Sequence, residues 1–82
     1  MQRKGGNSEE MATETVSKTR HSIIDKRKEL GMSQDEVSYA AGISRSFYAG
    51  IERGLRDPSL ETAQRVCLVL KMPVDEAFPL KK

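Results

Sequence analysis

The sequence contains few of the residues from which catalytic, metal-binding and disulfide-bonded sites are built. Among its 82 residues there are one cysteine, Cys67, and one histidine, His21. Neither an internal disulfide nor a Cys/His metal site can be assembled from them, and neither paired carboxylates nor a glycine-rich phosphate loop is present. We therefore predict that the protein is not an enzyme and needs no metal, other cofactor or small-molecule ligand.

Long hydrophobic runs are also absent. No stretch approaches the ~20 apolar residues of a membrane-spanning helix, and residues 1–10 lack the apolar segment of a signal peptide. Cys67 lies within the apolar run 66–70, which favours a buried, reduced thiol. These features predict a cytoplasmic protein that makes no membrane contact.

Aromatic residues are scarce and charge is balanced. With two Phe, two Tyr and no Trp, aliphatic side chains must supply most of the buried area. The 14 basic and 12 acidic residues are mixed along the chain and give a net charge of +2. This balance is compatible with nucleic-acid binding but does not indicate it, because a DNA-binding surface is a local cluster of basic residues.

Composition along the chain predicts one domain between two terminal segments. Residues 1–17 are polar and have too few large apolar side chains to offset the entropy of ordering, so we expect a flexible arm. Residues 18–79 carry helical patterns and residues 80–82 form a short tail. A chain of this length fits one compact domain.

Helix signals divide the domain into five segments. Serine before a helical pattern and glycine after it are typical of helix starts and ends, and Ser33 with Glu36 has the spacing of a capping box. A fourth segment carries an amphipathic stripe of Leu60, Ala63, Cys67 and Leu70. The predicted helices cover 18–30, 34 to the residue before Gly42, 45–53, a segment capped by Ser59, and a short segment begun by Pro73 and stopped by Pro79.

The connection between the second and third segments is only three residues long, 42–44. Two helices joined so tightly cross steeply, and the second of them projects from the domain. A projecting α-helix matches the DNA major groove, where base edges present an unambiguous pattern of donors and acceptors. Tight helical hairpins without this role also occur in small all-α domains, so the spacing alone leaves both interpretations open.

Four separately spaced motifs make the pattern more specific. They are LGMSQDEV at 30–37, GISRS at 42–46, IERG at 51–54 and PSLE at 58–61. With them the sequence resembles the Cro/C1-type (Xre family) helix-turn-helix repressors of phages and bacteria, over about residues 23–78. The resemblance implies an all-α, five-helix, lambda-repressor-like fold whose third helix is the recognition helix. It also implies a homodimer that binds a near-palindromic double-stranded DNA operator.

The resemblance assigns candidate site residues. Arg27 and Glu52 match positions that form a structural ion pair between the first and third helices. The base-contacting positions correspond to Arg45, Ser46, Phe47, Ala49 and Gly50. The phosphate-contacting positions correspond to Ser33, Gln34, Ser44, Arg53 and Arg56. A dimer interface is expected on the last helix and its neighbours, at Leu70, Met72, Val74, Phe78 and Leu80.

Several of these residues have a second interpretation. Arg45 can donate two hydrogen bonds to guanine O6 and N7, or it can bind phosphate only. Ser33 fits a purely capping role, and Phe47 fits partial burial against the second helix. Arg53 and Arg56 fit either phosphate contact or a solvated surface.

Three residues depart from the family pattern. Gly50 stands where a polar side chain is usual, costs about 1 kcal/mol of helix propensity relative to alanine, and offers no side chain to a base. We therefore expect few direct base contacts and a larger contribution from DNA shape. Ser38 replaces a tightly packed alanine and Ala41 a larger apolar residue, which leaves details of packing open.

Two functions are consistent with these observations. The first is a sequence-specific transcriptional regulator. The alternative is a helix-turn-helix interaction module whose main partner is a protein, as in an antitoxin or a module that binds a regulator. Gln34, Arg45 and Arg56, at phosphate or base positions, favour DNA as the partner.

Overall fold

The computed structural model describes residues 19–79 and shows a helical domain. Within that range there are five helices and no strand, which confirms the predicted all-α, five-helix fold. The helices are α1 His21–Glu29, α2 Gln34–Ala41, α3 Arg45–Arg53, α4 Leu60–Leu70 and α5 Val74–Ala77. None of these helices has the length and hydropathy needed to cross a membrane. The predicted arm at 1–17, the tail at 80–82 and the candidate interface residue Leu80 lie outside the described residues.

Serine side chains set the starts of the three longer internal helices. The Ser33 hydroxyl accepts a hydrogen bond from the Glu36 N–H at 3.0 Å, and the Ser33 N–H donates to the Glu36 carboxylate at 2.8 Å. Ser44 caps α3 by accepting from the Phe47 N–H at 3.0 Å, and Ser59 caps α4 in the same way at 3.2 Å. The helices begin at Gln34, Arg45 and Leu60, which confirms the predicted starts of α2, α3 and α4. The starts could be predicted because capping contacts are local in sequence.

Left-handed glycines bracket α3. Gly42 (φ 76°) ends α2 and Gly54 (φ 78°) ends α3, and both have a backbone conformation that L side chains rarely adopt. The first helix is shorter than predicted, since it begins at His21 rather than at residue 18. The reason is that the Arg20 N–H donates to the Glu52 carbonyl at 2.8 Å, which draws the chain out of helical geometry before α1 begins.

The core lies between α1, α2, α4 and the buried side of α3. α2 packs on α4 and on α3, and α1 contacts α3, α4 and α5. Leu60, predicted to join the apolar stripe of α4, is instead 69% exposed, because it is the first residue of the helix and lies between the exposed Ser59 and Glu61. The largest fully buried side chains are Tyr48, Ile23, Ile51, Leu70, Val37 and Val66.

Candidate nucleic-acid interface

The two sides of α3 differ in burial. Tyr48, Ile51 and Glu52 face the core and are buried, as the helical spacing predicts. The opposite side carries exposed Arg45, Ser46 and Arg53 and half-buried Ala49 and Gly50. Because α3 packs on α1 and α2 along one side only, its other side is available to a partner.

A buried ionic network connects α3 to α1 and α2. Arg27 donates to both oxygens of Glu52, from Nε to Oε2 at 2.6 Å and from Nη2 to Oε1 at 3.3 Å. Gln34 Nε2 donates to Glu52 Oε1 at 2.8 Å, and Arg27 Nη1 donates to the Met32 carbonyl at 3.1 Å. The structure thus brings together the two residues that the resemblance pairs and adds Gln34 to them.

The network keeps the Glu52 carboxyl ionised. Burial alone would raise its pKa, but the hydrogen bonds from Arg27 and Gln34 outweigh burial and hold the pKa of Glu52 below its ordinary value. The same contact with Glu52 raises the pKa of Arg27. Burial raises the pKa of the neighbouring Tyr48 phenol, and the Glu52 charge raises it further. At neutral pH the orientation of α3 therefore depends on a fully charged pair.

The predicted phosphate-contacting residues at the starts of α2 and α3 have structural partners. Gln34 places its amide nitrogen on Glu52, while Ser33 and Ser44 place their hydroxyls on backbone N–H groups. These contacts account for the three side chains within the domain. Phosphate binding at these helix starts stays a prediction.

Arg45 is the most prominent polar side chain at the start of α3. Its side chain is 64% exposed, and its Nε lies 3.4 Å from Oδ1 of Asp35, which is also exposed. A contact through Nε leaves both terminal nitrogens of the guanidinium free to act as a two-pronged donor. Ser46 is exposed beside it, whereas Phe47 is half-buried against the core, in line with its packing interpretation.

Arg20 is a site residue that the sequence did not indicate. Its Nη1 donates to the carbonyls of Ile51 at 2.7 Å and Arg56 at 3.1 Å, and its Nη2 lies 2.8 Å from Asp57 Oδ1. The guanidinium also lies 5.1 Å from the centroid of the Phe78 ring. Arg20 thereby fixes the end of α3 and the loop that follows it. Its partners are 31 or more residues away in sequence, so no local pattern could have revealed the role.

Comparison with known proteins places this arrangement in a family. Residues 23–76, more than half of the chain, match the family model described as Helix-turn-helix. The chain belongs to the helix-turn-helix family. Within that family it is of the Cro/C1 type, which confirms the resemblance drawn from the motifs.

Relatives and a solved structure agree with this membership. The ImmF control region 10 kDa protein of Bacillus phage phi105 is 36% identical over 53 residues, which are 65% of this chain and 59% of that protein. The cryptic phage CTXphi transcriptional repressor RstR of Vibrio cholerae is 32% identical over 54 residues, 66% of this chain and 49% of that protein. The chain thus spans about half to three fifths of the length of these curated relatives.

The crystal structure of the restriction-modification controller protein C.AhdI from Aeromonas hydrophila has the same fold. It superposes with a TM-score of 0.69 at 29% identity and covers 80% of this chain and 98% of that chain. The match to nearly the whole of that chain shows that the five helices have the arrangement of a helix-turn-helix controller protein.

The expected dimer surface needs a correction. Leu70 is fully buried in the helix-turn-helix core and offers no surface to a second subunit, and Met72, only 8% exposed, offers little. Val74 and Phe78 are half-buried. Leu68, 78% exposed, is the apolar side chain that α4 presents to solvent. It borders a groove of about 670 Å³ lined by Gln64, Cys67, Leu68, Lys71, Met72, Pro73 and Val74.

Residues with metal-binding or nucleophilic chemistry are few in the helix-turn-helix domain. Over residues 19–79 no group of three His, Cys, Asp or Glu side chains could hold a metal ion. Cys67 is buried and not disulfide-bonded, and burial raises the pKa of its thiol. His21 is exposed.

Proposed function

We propose that the protein is a sequence-specific transcriptional regulator that binds double-stranded DNA. In this proposal α3 enters the major groove, and a homodimer recognises a near-palindromic operator. The observation that carries it is the exposed polar side of α3, with Arg45 at its start, opposite a buried side held by Glu52. As DNA is the partner, we place the protein in the cytoplasm.

The dimensions and chemistry of α3 support this proposal. An α-helix with its side chains is about 10–12 Å across, close to the ~12 Å width of the major groove. Arg45 has both terminal nitrogens free, and this two-pronged donor fits guanine O6 and N7. Ser46 is exposed next to it and can contact either bases or backbone. Ser33, Gln34, Ser44 and Arg53 are proposed phosphate contacts around this helix.

The names of the similar proteins point the same way. RstR is a transcriptional repressor, C.AhdI is a controller protein, and the phi105 relative belongs to a control region. These names support a regulatory role for a chain that has the same fold and exposes Arg45 and Ser46 on α3.

The homodimer is proposed to form along α5 and the exposed end of α4. Val74 and Phe78 are partly accessible there, and Leu68 adds exposed apolar area. Symmetric half-sites one turn of the duplex apart require a dimer whose two α3 helices lie about 34 Å from each other. Equilibrium sedimentation should show a dimer, and a monomer at high micromolar concentration would contradict this part of the proposal.

Selection of bound duplexes from a random pool tests the DNA interaction. We expect an enriched sequence with two-fold symmetry, and an affinity for it that falls steeply as salt rises. Arg45→Ala should reduce the preference at one base of each half-site by about 1 to 3 kcal/mol. Lys28→Ala is the control, since Lys28 is an exposed cation in the last turn of α1. An Arg45→Ala protein with unchanged preference would refute the assigned contact.

A protein-binding module is the second candidate. It is favoured by one observation, which is that Ala49 and Gly50 give the middle of the exposed α3 side little to offer a base. The same selection separates the two candidates. If no duplex is enriched and affinity capture retrieves a protein held through α3, the module is supported and the regulator is not.

A further inference from the structure

The exposed side of α3 has a gap at Gly50, and a side chain from outside the helix fills it. A Cβ atom built on Gly50 would lie 2.6 Å from Cγ of Arg56, 3.5 Å from its Cβ and 3.8 Å from its Cδ. The stem of Arg56 therefore occupies the volume that a side chain at position 50 would need. Glycine, one of the poorest helix formers, leaves this volume to Arg56, since a Cβ at position 50 would displace its stem.

The backbone of Arg56 is held in place from two directions. Its N–H donates to the Gly50 carbonyl at 3.2 Å, and the N–H of Leu55 donates to the same carbonyl at 2.9 Å. Its own carbonyl accepts from Arg20 Nη1 at 3.1 Å. Arg56 thus leaves a fixed loop and crosses the surface of α3 at a defined point.

The guanidinium of Arg56 is available to a ligand. Arg20, Arg27, Arg45 and Arg65 each lie within 4 Å of a carboxylate, whereas in the described part of the chain no acidic side chain lies that close to Arg56. The residue is exposed, and position 50 lies on the same side of α3 as Ser46, Ala49 and Arg53. An unpaired guanidinium on that side can contact a ligand that binds to the exposed side of α3.

We propose that Arg56 takes the place of the missing side chain at position 50 and contacts a base edge in the major groove. This inference rests on the proposed DNA-binding function and makes it more specific. Arg56 and Gly50 then form one reading unit, in which glycine admits the stem and arginine supplies a planar fork for guanine O6 and N7. It replaces the expectation that Arg56 contacts phosphate only.

Double-mutant analysis tests the unit. Wild-type protein, Arg56→Ala, Gly50→Ala and the double variant are each used to select duplexes from a random pool, and their affinities for the enriched sequence and its single-base changes are measured. Arg56→Ala should lower discrimination by about tenfold at one position of each half-site, different from the position affected by Arg45→Ala. Gly50→Ala should cause the same loss, because its methyl group displaces the Arg56 stem. In the Arg56→Ala background, Gly50→Ala should have no further effect on discrimination.

Two further variants separate base contact from charge. Arg56→Lys keeps the charge and a flexible stem but not the fork, so it should retain most of the overall affinity and lose discrimination. Arg53→Ala removes the exposed cation at the end of α3, which also has no acidic partner among residues 19–79, and should weaken binding to all sequences alike. Circular dichroism and thermal unfolding verify that every variant remains folded.

The outcomes discriminate this inference from the function on which it rests. Arg56→Ala could weaken binding to all sequences equally and lower the slope of log affinity against log salt concentration by about 1. Arg56 would then contact phosphate, and the inference would be wrong while the proposed regulator function would be unaffected. If Gly50→Ala leaves discrimination intact, the reading unit is also refuted. A wild-type protein without any base preference would overturn both the inference and the proposed function.

Discussion

Replacing Arg27 by methionine tests whether the buried ionic network determines the stability of the domain. The Glu52 side chain is 3% exposed and that of Arg27 13%, so both charges lie largely out of water. The variant keeps the apolar bulk of position 27 but leaves Glu52 with Gln34 as its remaining side-chain donor. Removing one partner of a buried pair costs about 3 to 5 kcal/mol, because the other charge stays buried and uncompensated. Since a domain of this kind has about 5 to 15 kcal/mol in total, we expect a large fall in the urea midpoint.

The pH dependence of that loss is a sharper test than its size. In the wild-type protein the folded-state pKa of Glu52 is below its unfolded value, so its contribution is complete above the ordinary glutamate pKa of about 4.3 and declines as pH falls through the folded-state pKa. Without Arg27, burial dominates and the pKa of Glu52 rises. Protonation of Glu52 at low pH then removes the buried, unpaired charge from the variant. The difference in unfolding free energy between the two proteins should therefore shrink as pH falls from 7 to 4.

The measurement is urea unfolding followed by circular dichroism at both pH values. Glu52→Gln is the matched control, since it removes the charge and keeps the shape of the side chain. The double variant Arg27→Met with Glu52→Met should be more stable than Arg27→Met alone, because two apolar side chains leave no buried charge. A loss below about 1 kcal/mol that is equal at pH 4 and pH 7 would show that the pair behaves like a surface ion pair, and the reasoning would fail.

Two further predictions concern contacts of Arg20 and Cys67. Arg20→Ala removes the donor to the Ile51 and Arg56 carbonyls and should lower the unfolding free energy by about 2 kcal/mol. Asp57→Asn, which changes the exposed partner of Arg20, should lower it by less than about 1 kcal/mol. Equal losses for the two variants in urea titrations would show that the carbonyl contacts are not important. Cys67, whose burial raises its thiol pKa, should react with a thiol reagent far more slowly in the native protein than in urea, and equal rates would show that the site opens freely.

The helix frame could be predicted from the sequence because its signals are local. The capping box at Ser33 and the cap at Ser44 act within three residues, and Gly42 and Gly54 end helices through their own backbone conformation. Each signal is complete in a short window of the chain. The starts of α2, α3 and α4 therefore agree with the structure to the residue.

The contacts that hold the loop after α3 could not be predicted in this way. The Arg20 side chain bonds to Ile51, Arg56 and Asp57, which are 31 to 37 residues away. The Arg20 backbone N–H bonds to the Glu52 carbonyl, and α1 begins only at the next residue, His21. Long-range polar contacts of this kind leave no periodic pattern in the sequence. The contact at Gly50 could not be predicted either, since the sequence shows only that a side chain is missing there, whereas the structure shows that Arg56 occupies its place.

The incorrect part of the expected dimer surface has another cause. Helical periodicity identifies apolar residues on one side of a helix but does not tell whether they face their own core or a second subunit. Leu70 satisfies the pattern and is buried within the domain, and Met72, just after the helix, is only 8% exposed, whereas Leu68 lies outside the stripe and is exposed. An interface is better located from exposed apolar residues that periodicity leaves unexplained.

The residues that orient α3 are separate from the residues that it exposes. Its orientation is fixed from the buried side, by Tyr48, Ile51 and the Glu52 network, and from its end by Arg20. None of these residues lies on the exposed side. Substitutions at exposed positions away from such contacts usually change stability by no more than about 0.5 kcal/mol, so the surface that faces a partner can vary while the fold persists. The residues on the buried side therefore hold α3, and exposed residues that would choose a DNA sequence can change without loss of the fold.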